Sequence, residues 1–188
     1  SNTTTFFFSE GWVNLMYEYA ITNIFAPWIQ LKNINMSGEN PNKEMYAIAQ
    51  ISKIMGLHRS TDKFGPIPYK QVGNGSFTVE YDSQESVYRS FFEELDEAVT
   101  VLYDFYMKAN NTVPMASDVV YEGDVTKWIR LANSLMLRLA IRVRYADEVL
   151  ARTYAEKAIK NPIGVMESID DMAKMNRGAT VSYTHLRA

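Results

Sequence analysis

The chain of 188 residues contains no cysteine and only two histidines, His58 and His185. The absence of cysteine excludes a disulfide framework, a thiolate zinc site and a cysteine nucleophile. Two histidines do not allow a multi-histidine metal site or a well-supported serine–histidine–aspartate arrangement. Nothing approaches eighteen consecutive apolar residues, so no membrane-spanning helix is predicted. We therefore expect neither a metal nor a cofactor.

A positive excess is also lacking, because the formal net charge is −3 at pH 7. Domains that neutralise nucleic-acid phosphates usually carry a clear positive excess, so no nucleic-acid partner is expected. The one basic stretch is local: in GDVTKWIRLANSLMLRLAIRVRY (123–145), five cations alternate with apolar residues. Because a helix built from this stretch is apolar on almost every side, it is predicted to be an interior helix.

Hydrophobic periodicity predicts five helices. The third is the clearest, since apolar residues step by three or four along one face and acidic residues occupy the other. The fourth and fifth are expected to form a hairpin, and the fifth, RTYAEKAIKNP, is similar to the second helix of a tetratricopeptide repeat. In chain order, the five helices are predicted to start at Ser9, at Asn40, at a capping box of Asp82 and Glu85, at Gly123–Asp124 and at Asp147. The first is expected to break at Pro27, the second to end near His58 and the fifth to end at Asn161.

Between the second and third helices, the segment 61–82 reads TDKFGPIPYKQVGNGSFTVEYD. It holds two prolines, three glycines and four aromatic residues. A segment of this length without regular structure usually signals either function or disorder. Because aromatic residues are depleted in disordered segments, we predict a long, irregular but ordered loop.

Four acidic residues on the third predicted helix invite comparison with a glycosidase; they are Glu93, Glu94, Asp96 and Glu97. Glycoside hydrolysis needs two acids that face each other across the scissile bond from different elements. These four share one helix, so they are predicted to form a solvated or ion-paired face.

Three blocks taken together carry a family resemblance. They are STDKFGPIPY (60–69), YDSQESVYRSFFEELDEAVTVL (81–102) and GDVTKWIRLANSLMLRLAIRVR (123–144). In order and spacing they resemble successive blocks of the SusD/RagB family, the surface nutrient-binding lipoproteins of Bacteroidetes. The three blocks lie within residues 60–144.

The resemblance implies a fold of tetratricopeptide-like helical hairpins and no enzymatic activity. It implies a location at the cell surface, on the outer membrane, through an N-terminal lipidated cysteine that this sequence does not contain. It also implies a SusC-like TonB-dependent transporter as partner and an oligosaccharide, or in some members a peptide, as ligand. Two alternatives remain open: a helical-repeat scaffold that binds protein segments, and a helical glycoside hydrolase, which would need two carboxylates that converge in a cleft.

The resemblance also implies where ligands bind. In the family, aromatic side chains on loops hold the ligand, because the weakly apolar C–H faces of sugars stack on flat aromatic rings. The candidates in this chain are Phe77, Tyr81, Tyr69 and Trp28.

Part of the loop is expected to be structural. Phe64 and Tyr69 are predicted to pin it onto the second and fourth helices, with Gly65 and Pro68 turning the chain. Asp62 belongs to the same family motif.

The cations of the fourth helix receive separate predictions. Arg138 and Arg142 are expected to face carboxylates such as Glu94 or Glu97, with Arg138 mostly buried, because a buried unpaired cation is strongly destabilising. Arg130 and Arg144 are expected at the surface, with Arg130 the better candidate to meet a partner protein.

We expect a partial SusD-like helical domain over 1–180 that covers a third to a half of a family member. The terminal VSYTHLRA (181–188) does not continue the preceding pattern and is similar to translated sequencing-adapter readthrough, so we treat it as non-native.

Overall fold

The computed structural model describes residues 18–19, 21–75, 78–114 and 118–174. A π-helical turn, Ile21–Phe25, leads into α1 (Ala26–Met36). The other elements are α2 (Lys43–Phe64), α3 (Gln84–Met107), α4 (Val125–Val143), α5 (Glu148–Lys160) and a 3-10 turn (Ile169–Asp171). Strands are absent from these ranges, where the only β pairing is two isolated bridges, so the predicted all-α class is confirmed.

The helix ends predicted from the sequence agree with the structure in α4 and α5 and differ from it in α2 and α3. Asp124 caps α4 by accepting from the N–H groups of Thr126 and Lys127, and Asp147 caps α5 by accepting from the N–H of Leu150. At α2 the cap is Asn42 rather than Asn40, and the helix runs six residues past His58 to Phe64. The predicted start at Ser9 lies outside the described residues, and Pro27 lies in the first turn of α1.

The capping box predicted at Asp82 is wrong. The Ser83 hydroxyl accepts from Ser86 N at 3.2 Å, so Ser83 caps α3. The Asp82 carboxylate instead accepts from the backbone of the preceding loop, as described below. Asp82 and Ser83 are both residue types that favour helix caps. Asp82 serves the loop instead, because the N–H groups of Tyr69 and Lys70 would otherwise lack a hydrogen-bond acceptor.

The chain divides into two compact units, one up to Glu94 and one from Leu95, with the boundary inside α3. In the first unit α1 packs on α2, and the core holds Ile51 and Ile54 of α2 with Val87 and Phe91 of α3. Val87 and Phe91 belong to the apolar stripe that identified the third helix from the sequence. The core therefore forms where the periodicity predicted it.

In the second unit α4 packs against α5, which confirms the predicted hairpin. Trp128, Ile129, Met136 and Leu139 of α4 are buried. Toward the C-terminal end of α4 one face is exposed, with Arg138, Ile141 and Arg142, while Leu139 stays buried. Arg144, which follows the helix, is also exposed.

The prediction that Arg138 is buried against a carboxylate is therefore wrong. Arg138 extends from an exposed part of α4, and Glu94 bonds to Lys53 and Tyr69. Water solvates the guanidinium, so no buried counter-charge is needed. Arg144 is exposed as expected.

Arg130 lies half-buried inside its own unit rather than at a free surface. Its Nη1 lies 2.9 Å from Asp171 Oδ1, and its Nε donates to Ile163 O at 3.3 Å. The backbone N–H groups of Glu167 and Ser168 also donate to the Asp171 carboxylate. Asp171 thus ties the segment after α5 back onto α4.

These bonds make stability depend on pH. The Glu167 N–H and the Arg130 guanidinium hold the pKa of Asp171 at about 2, below its ordinary value of 3.8. The stabilisation is fully present above about pH 4 and is lost as the pH falls through about 2. We expect Asp171→Asn to lower the urea midpoint clearly at pH 6 and progressively less from pH 4 to pH 2.

Asp170→Asn serves as the control for this prediction, because Asp170 is the exposed carboxylate of the same turn. It should leave the midpoint close to that of the parent chain throughout. A midpoint difference for Asp171→Asn that stayed constant from pH 6 to pH 2 would show that Asp171 acts through shape and not through its charge.

The connection between α3 and α4 is organised by the carboxylate of Asp118, which the sequence analysis did not single out. Asp118 accepts from Trp128 Nε1 at 2.7 Å and from the N–H groups of Val120, Tyr121 and Gly123. Burial alone would raise the pKa of Asp118, but these four hydrogen bonds lower it below its ordinary value. Gly123, with φ of 80°, packs against the Val113 backbone, so the turn is fixed from both sides.

Candidate functional site

The loop between α2 and α3, residues 65–83, is closed at its base. Ile67 and Asp82 exchange backbone hydrogen bonds of 3.2 and 2.9 Å. The Asp82 carboxylate also accepts from Tyr69 N at 3.1 Å and Lys70 N at 2.8 Å. These four hydrogen bonds define the loop neck and hold the loop's two ends together.

The start of the loop is a tight turn. Gly65 has φ of 74°, and its N–H donates to Thr61 O at 2.8 Å while Thr61 Oγ1 donates to Gly65 O at 2.6 Å. Only glycine adopts this backbone geometry without strain. Pro68 is buried beyond it, and the Asp62 carboxylate accepts from the Tyr88 hydroxyl of α3. Gly65 therefore ends α2 in a conformation that suits glycine, and Asp62 links this end of α2 to α3.

Beneath the neck lies a cation–aromatic cluster formed by Trp28, Lys53, Tyr69 and Glu94. Lys53 is 3% exposed, and its ammonium lies 4.1 Å from the centre of the Trp28 ring and 4.6 Å from that of Tyr69. Its Nζ is 2.8 Å from Glu94 Oε2, to which the Tyr69 hydroxyl also donates, at 2.6 Å. One carboxylate and two π faces together compensate the buried charge.

The cluster shifts the titration of its own members. Burial lowers the pKa of Lys53, and the attraction of Glu94 opposes that change. Burial, reinforced by Glu94, raises the pKa of Tyr69 well above its ordinary value. Tyr69 therefore stays protonated at neutral pH and serves Glu94 as a hydrogen-bond donor.

Two of the four predicted ligand residues, Trp28 and Tyr69, belong to this cluster. Trp28 is 9% exposed and donates its Nε1–H to Gln50 Oε1 at 2.6 Å. Tyr69 is buried and packs edge-on against Phe91 of α3 and Phe25 of the π-helical turn. A ligand would have to displace Lys53 to stack on either ring, and their role as ligand contacts stays a prediction.

The other two predicted ligand residues are Tyr81 and Phe77. Tyr81 is 64% exposed and lies next to Asp82 at the neck. Phe77 lies outside the described residues. Of the three that the structure describes, Tyr81 alone combines an accessible ring with a backbone held beside the neck, so it is the best-placed candidate in the described part of the loop.

Sequence reasoning did not single out Lys53, although a signal was present. Lys53 comes four residues after Ala49 and four before Leu57, both of which are buried on the inner face of α2. A lysine on that face must be paired or lie against aromatic rings. The nearby His58 is also buried, with Nδ1 2.9 Å from Met55 O, and lies within α2 rather than at its end.

Across 18–19, 21–75, 78–114 and 118–174, no group of three or more histidine, cysteine, aspartate or glutamate side chains is arranged to hold a metal ion. Within the same ranges, no helix is both long and apolar enough to cross a membrane.

The family model described as SusD-like, "Susd and RagB outer membrane lipoprotein", matches residues 1–187. A chitin-binding SusD homologue from Flavobacterium johnsoniae is 36% identical with a TM-score of 0.83, over 90% of this chain and 35% of that one. A SusD homologue from Bacteroides uniformis is 39% identical with a TM-score of 0.75, over 86% and 32% of the two chains. A third, from Bacteroides vulgatus, is 32% identical with a TM-score of 0.80, over 89% and 34%.

A search of curated proteins gave no match. The chain spans about a third of the length of the SusD homologues it matches. The family model nevertheless accounts for nearly every residue, and the helical architecture agrees with it. The chain therefore belongs to the SusD-like family of outer-membrane lipoproteins.

Proposed function

We propose that the protein containing this chain captures oligosaccharides at the outer face of the outer membrane and passes them to a SusC-like TonB-dependent transporter. The observation that carries the proposal is the likeness, at 36% identity over 90% of the chain, to a homologue described as chitin-binding. A second similar structure, 31% identical, is also described as a chitin-binding protein. The first ligand to test is therefore an N-acetylglucosamine oligomer.

The geometry of the first unit fits a binding role. The loop neck and the cation–aromatic cluster fix the backbone beside Tyr81 before any ligand arrives, while the ring itself remains accessible. Such preorganisation reduces the ordering entropy that binding would otherwise cost. Membership of this family favours binding over catalysis as the function of the whole protein.

To test ligand capture, the affinity of the full-length protein for chitin oligomers, other oligosaccharides and peptides is measured by calorimetric titration. We expect an oligosaccharide to bind, and Tyr81→Ala to weaken it about fivefold to tenfold through loss of about 1–1.4 kcal/mol of stacking. Tyr145→Ala is the matched control, because Tyr145 is also an exposed tyrosine but lies at the end of α4, outside the loop. Its affinity should equal that of the parent.

Other outcomes favour other functions. Binding of peptides alone would support the peptide-capturing variant of the proposal, and absence of binding to every oligosaccharide and peptide would contradict capture altogether. The latter result would favour a protein-binding scaffold, for which the exposed apolar Ile141, Tyr145 and Val149 at the α4–α5 turn are the supporting observation.

The transport partner requires a separate measurement. Affinity purification of the full-length protein from outer membranes should recover a TonB-dependent transporter in stoichiometric amount. Purification that repeatedly yields the protein without such a transporter would contradict this part of the proposal and leave ligand capture standing.

A further inference from the structure

A second concave site lies in the unit that begins at Leu95. It is a cavity of about 280 Å³ bounded by α3, α4 and the end of α5, and it has no residue in common with the loop or the cation–aromatic cluster. Its volume is just under the range of about 300–1,000 Å³ typical of small-molecule pockets. It therefore suits a ligand about the size of a single sugar ring. We call it the α3–α5 pocket.

The amide groups of the pocket come from two asparagines. Asn133 of α4 is 1% exposed and donates through Nδ2 to Gly164 O at 2.8 Å. Asn161, which follows α5, accepts from Ile163 N through Oδ1 at 3.0 Å. A side-chain amide has two donor hydrogens and a carbonyl with two lone pairs. The bonds to Gly164 and Ile163 therefore orient both amides and leave each of them further capacity for hydrogen bonding.

The charges of the pocket are balanced. Lys157 of α5 pairs with Asp96 of α3, and Lys160 pairs with Glu156 at 2.6 Å. Both lysines and Asp96 line the cavity. Counting Glu156, which does not itself line the cavity, each ammonium has a carboxylate partner, so the group carries no net positive charge to attract a phosphate or an acidic sugar. A neutral ligand with several hydroxyl or amide groups matches it better.

An aromatic surface completes the lining. Tyr103 of α3 lines the pocket, is half-buried, and stacks against Tyr106 with ring centres 6.4 Å apart and planes inclined by 30°. The contact with Tyr106 restricts the orientation of the Tyr103 ring. A fixed aromatic ring beside amide groups is the combination that recognises a pyranose, whose C–H face is apolar and whose edge is polar.

We propose that the α3–α5 pocket binds one neutral sugar residue of the oligosaccharide, separately from the loop at Tyr81. The inference rests on the proposed function for the class of ligand and on the pocket's own residues for the site. Tyr103 provides the stacking surface, and Asn133 and Asn161 bind the hydroxyl or acetamido groups at the ring edge.

The test uses the full-length protein with N-acetylglucosamine and its trimer as probes, monitored by ligand-observed NMR and by calorimetry. We expect Tyr103→Leu to weaken monosaccharide binding at least tenfold, whereas Tyr145→Leu, at an exposed tyrosine of the same unit that does not line the pocket, stays within twofold of the parent. The far-ultraviolet spectrum and thermal midpoint of each variant report whether it is folded.

A second variant tests the pocket independently, in case Tyr103→Leu does not fold. Thr100 lines the pocket but is exposed on α3, so Thr100→Trp fills the cavity without changing the core and should abolish monosaccharide binding. If the parent binds the trimer and neither Tyr103→Leu nor Thr100→Trp alters that binding, the assignment of the pocket as a sugar site is overturned and oligosaccharide capture stands. No binding of any oligosaccharide by the parent would overturn both, and competition by inorganic phosphate would overturn the neutral-ligand assignment.

Discussion

Glu94→Ala is expected to lower the free energy of unfolding by about 3 kcal/mol, because it leaves the buried Lys53 ammonium without its counter-charge. The two aromatic faces compensate only part of the charge, since a cation–π contact contributes about 0.5–2 kcal/mol. Lys53 can instead lose its proton, which at pH 7 costs about 1.4 kcal/mol for each unit between pH and pKa. Either route destabilises the folded state.

Lys53→Met should be much less damaging, at about 1 kcal/mol, because methionine fills a similar volume without a charge. Glu94 then remains partly exposed to water and keeps the Tyr69 hydrogen bond. The double variant Lys53→Met/Glu94→Ala should be more stable than Glu94→Ala alone, since it removes the stranded ammonium.

Urea unfolding of these variants at pH 7 measures the difference, with Glu93→Ala as the control on the exposed side of α3. Glu93→Ala should change the free energy of unfolding by no more than about 0.5 kcal/mol. Equal losses for Glu94→Ala and Glu93→Ala would show that Glu94 does not hold the Lys53 charge.

Gly123→Ala is expected to have a comparable or larger effect, at least about 3 kcal/mol, for a steric reason. A Cβ at this position would lie 2.2 Å from Val113 O, which is backbone and cannot swing aside. The residue also has φ of 80°, where an L-residue with a side chain is strained by roughly 1 kcal/mol. The turn that carries the Asp118 hydrogen bonds would therefore have to shift.

Gly164→Ala separates these two causes. Gly164 has φ of 81°, almost the same as Gly123, but a Cβ there would meet no atom within 4 Å. Its replacement should cost only the conformational strain, about 1 kcal/mol. Thermal unfolding of both variants tests the comparison, and similar losses for the two would mean that the approach to Val113 contributes nothing.

The sequence specified the helices wherever the pattern was local. The stripe through Val87, Phe91 and Leu95 and the caps at Asp124 and Asp147 were recognisable from residue type and spacing alone. The start of α2 could not be recognised in this way, because Asn40 and Asn42 are equally good caps by residue type. A tertiary hydrogen bond from Asn42 N to Asn35 O, 2.7 Å long, favours the second, and no local rule contains it.

The candidate site was predicted less well than the fold, because its contacts join distant parts of the chain. Lys53 and Glu94 are 41 positions apart in sequence, and nothing local links them. The error at Arg138 was avoidable, since Arg138, Ile141, Arg142 and Tyr145 lie at the i, i+3, i+4 and i+7 positions of one helical face. That polar-rich face is exposed, as an ordinary amphipathic helix predicts.

The closed neck also bears on how the loop can vary. Because Ile67, Tyr69 and Asp82 join the two ends, added residues between Asn74 and Gly75 would extend away from the hydrogen bonds that hold α2 and α3 in place. Doubling the length of a flexible loop costs only about 0.6 kcal/mol in closure entropy. Insertions, deletions or grafted recognition sequences can therefore accumulate at this tip while the helices beneath it remain unchanged, which makes the loop a natural place for ligand preference to diverge.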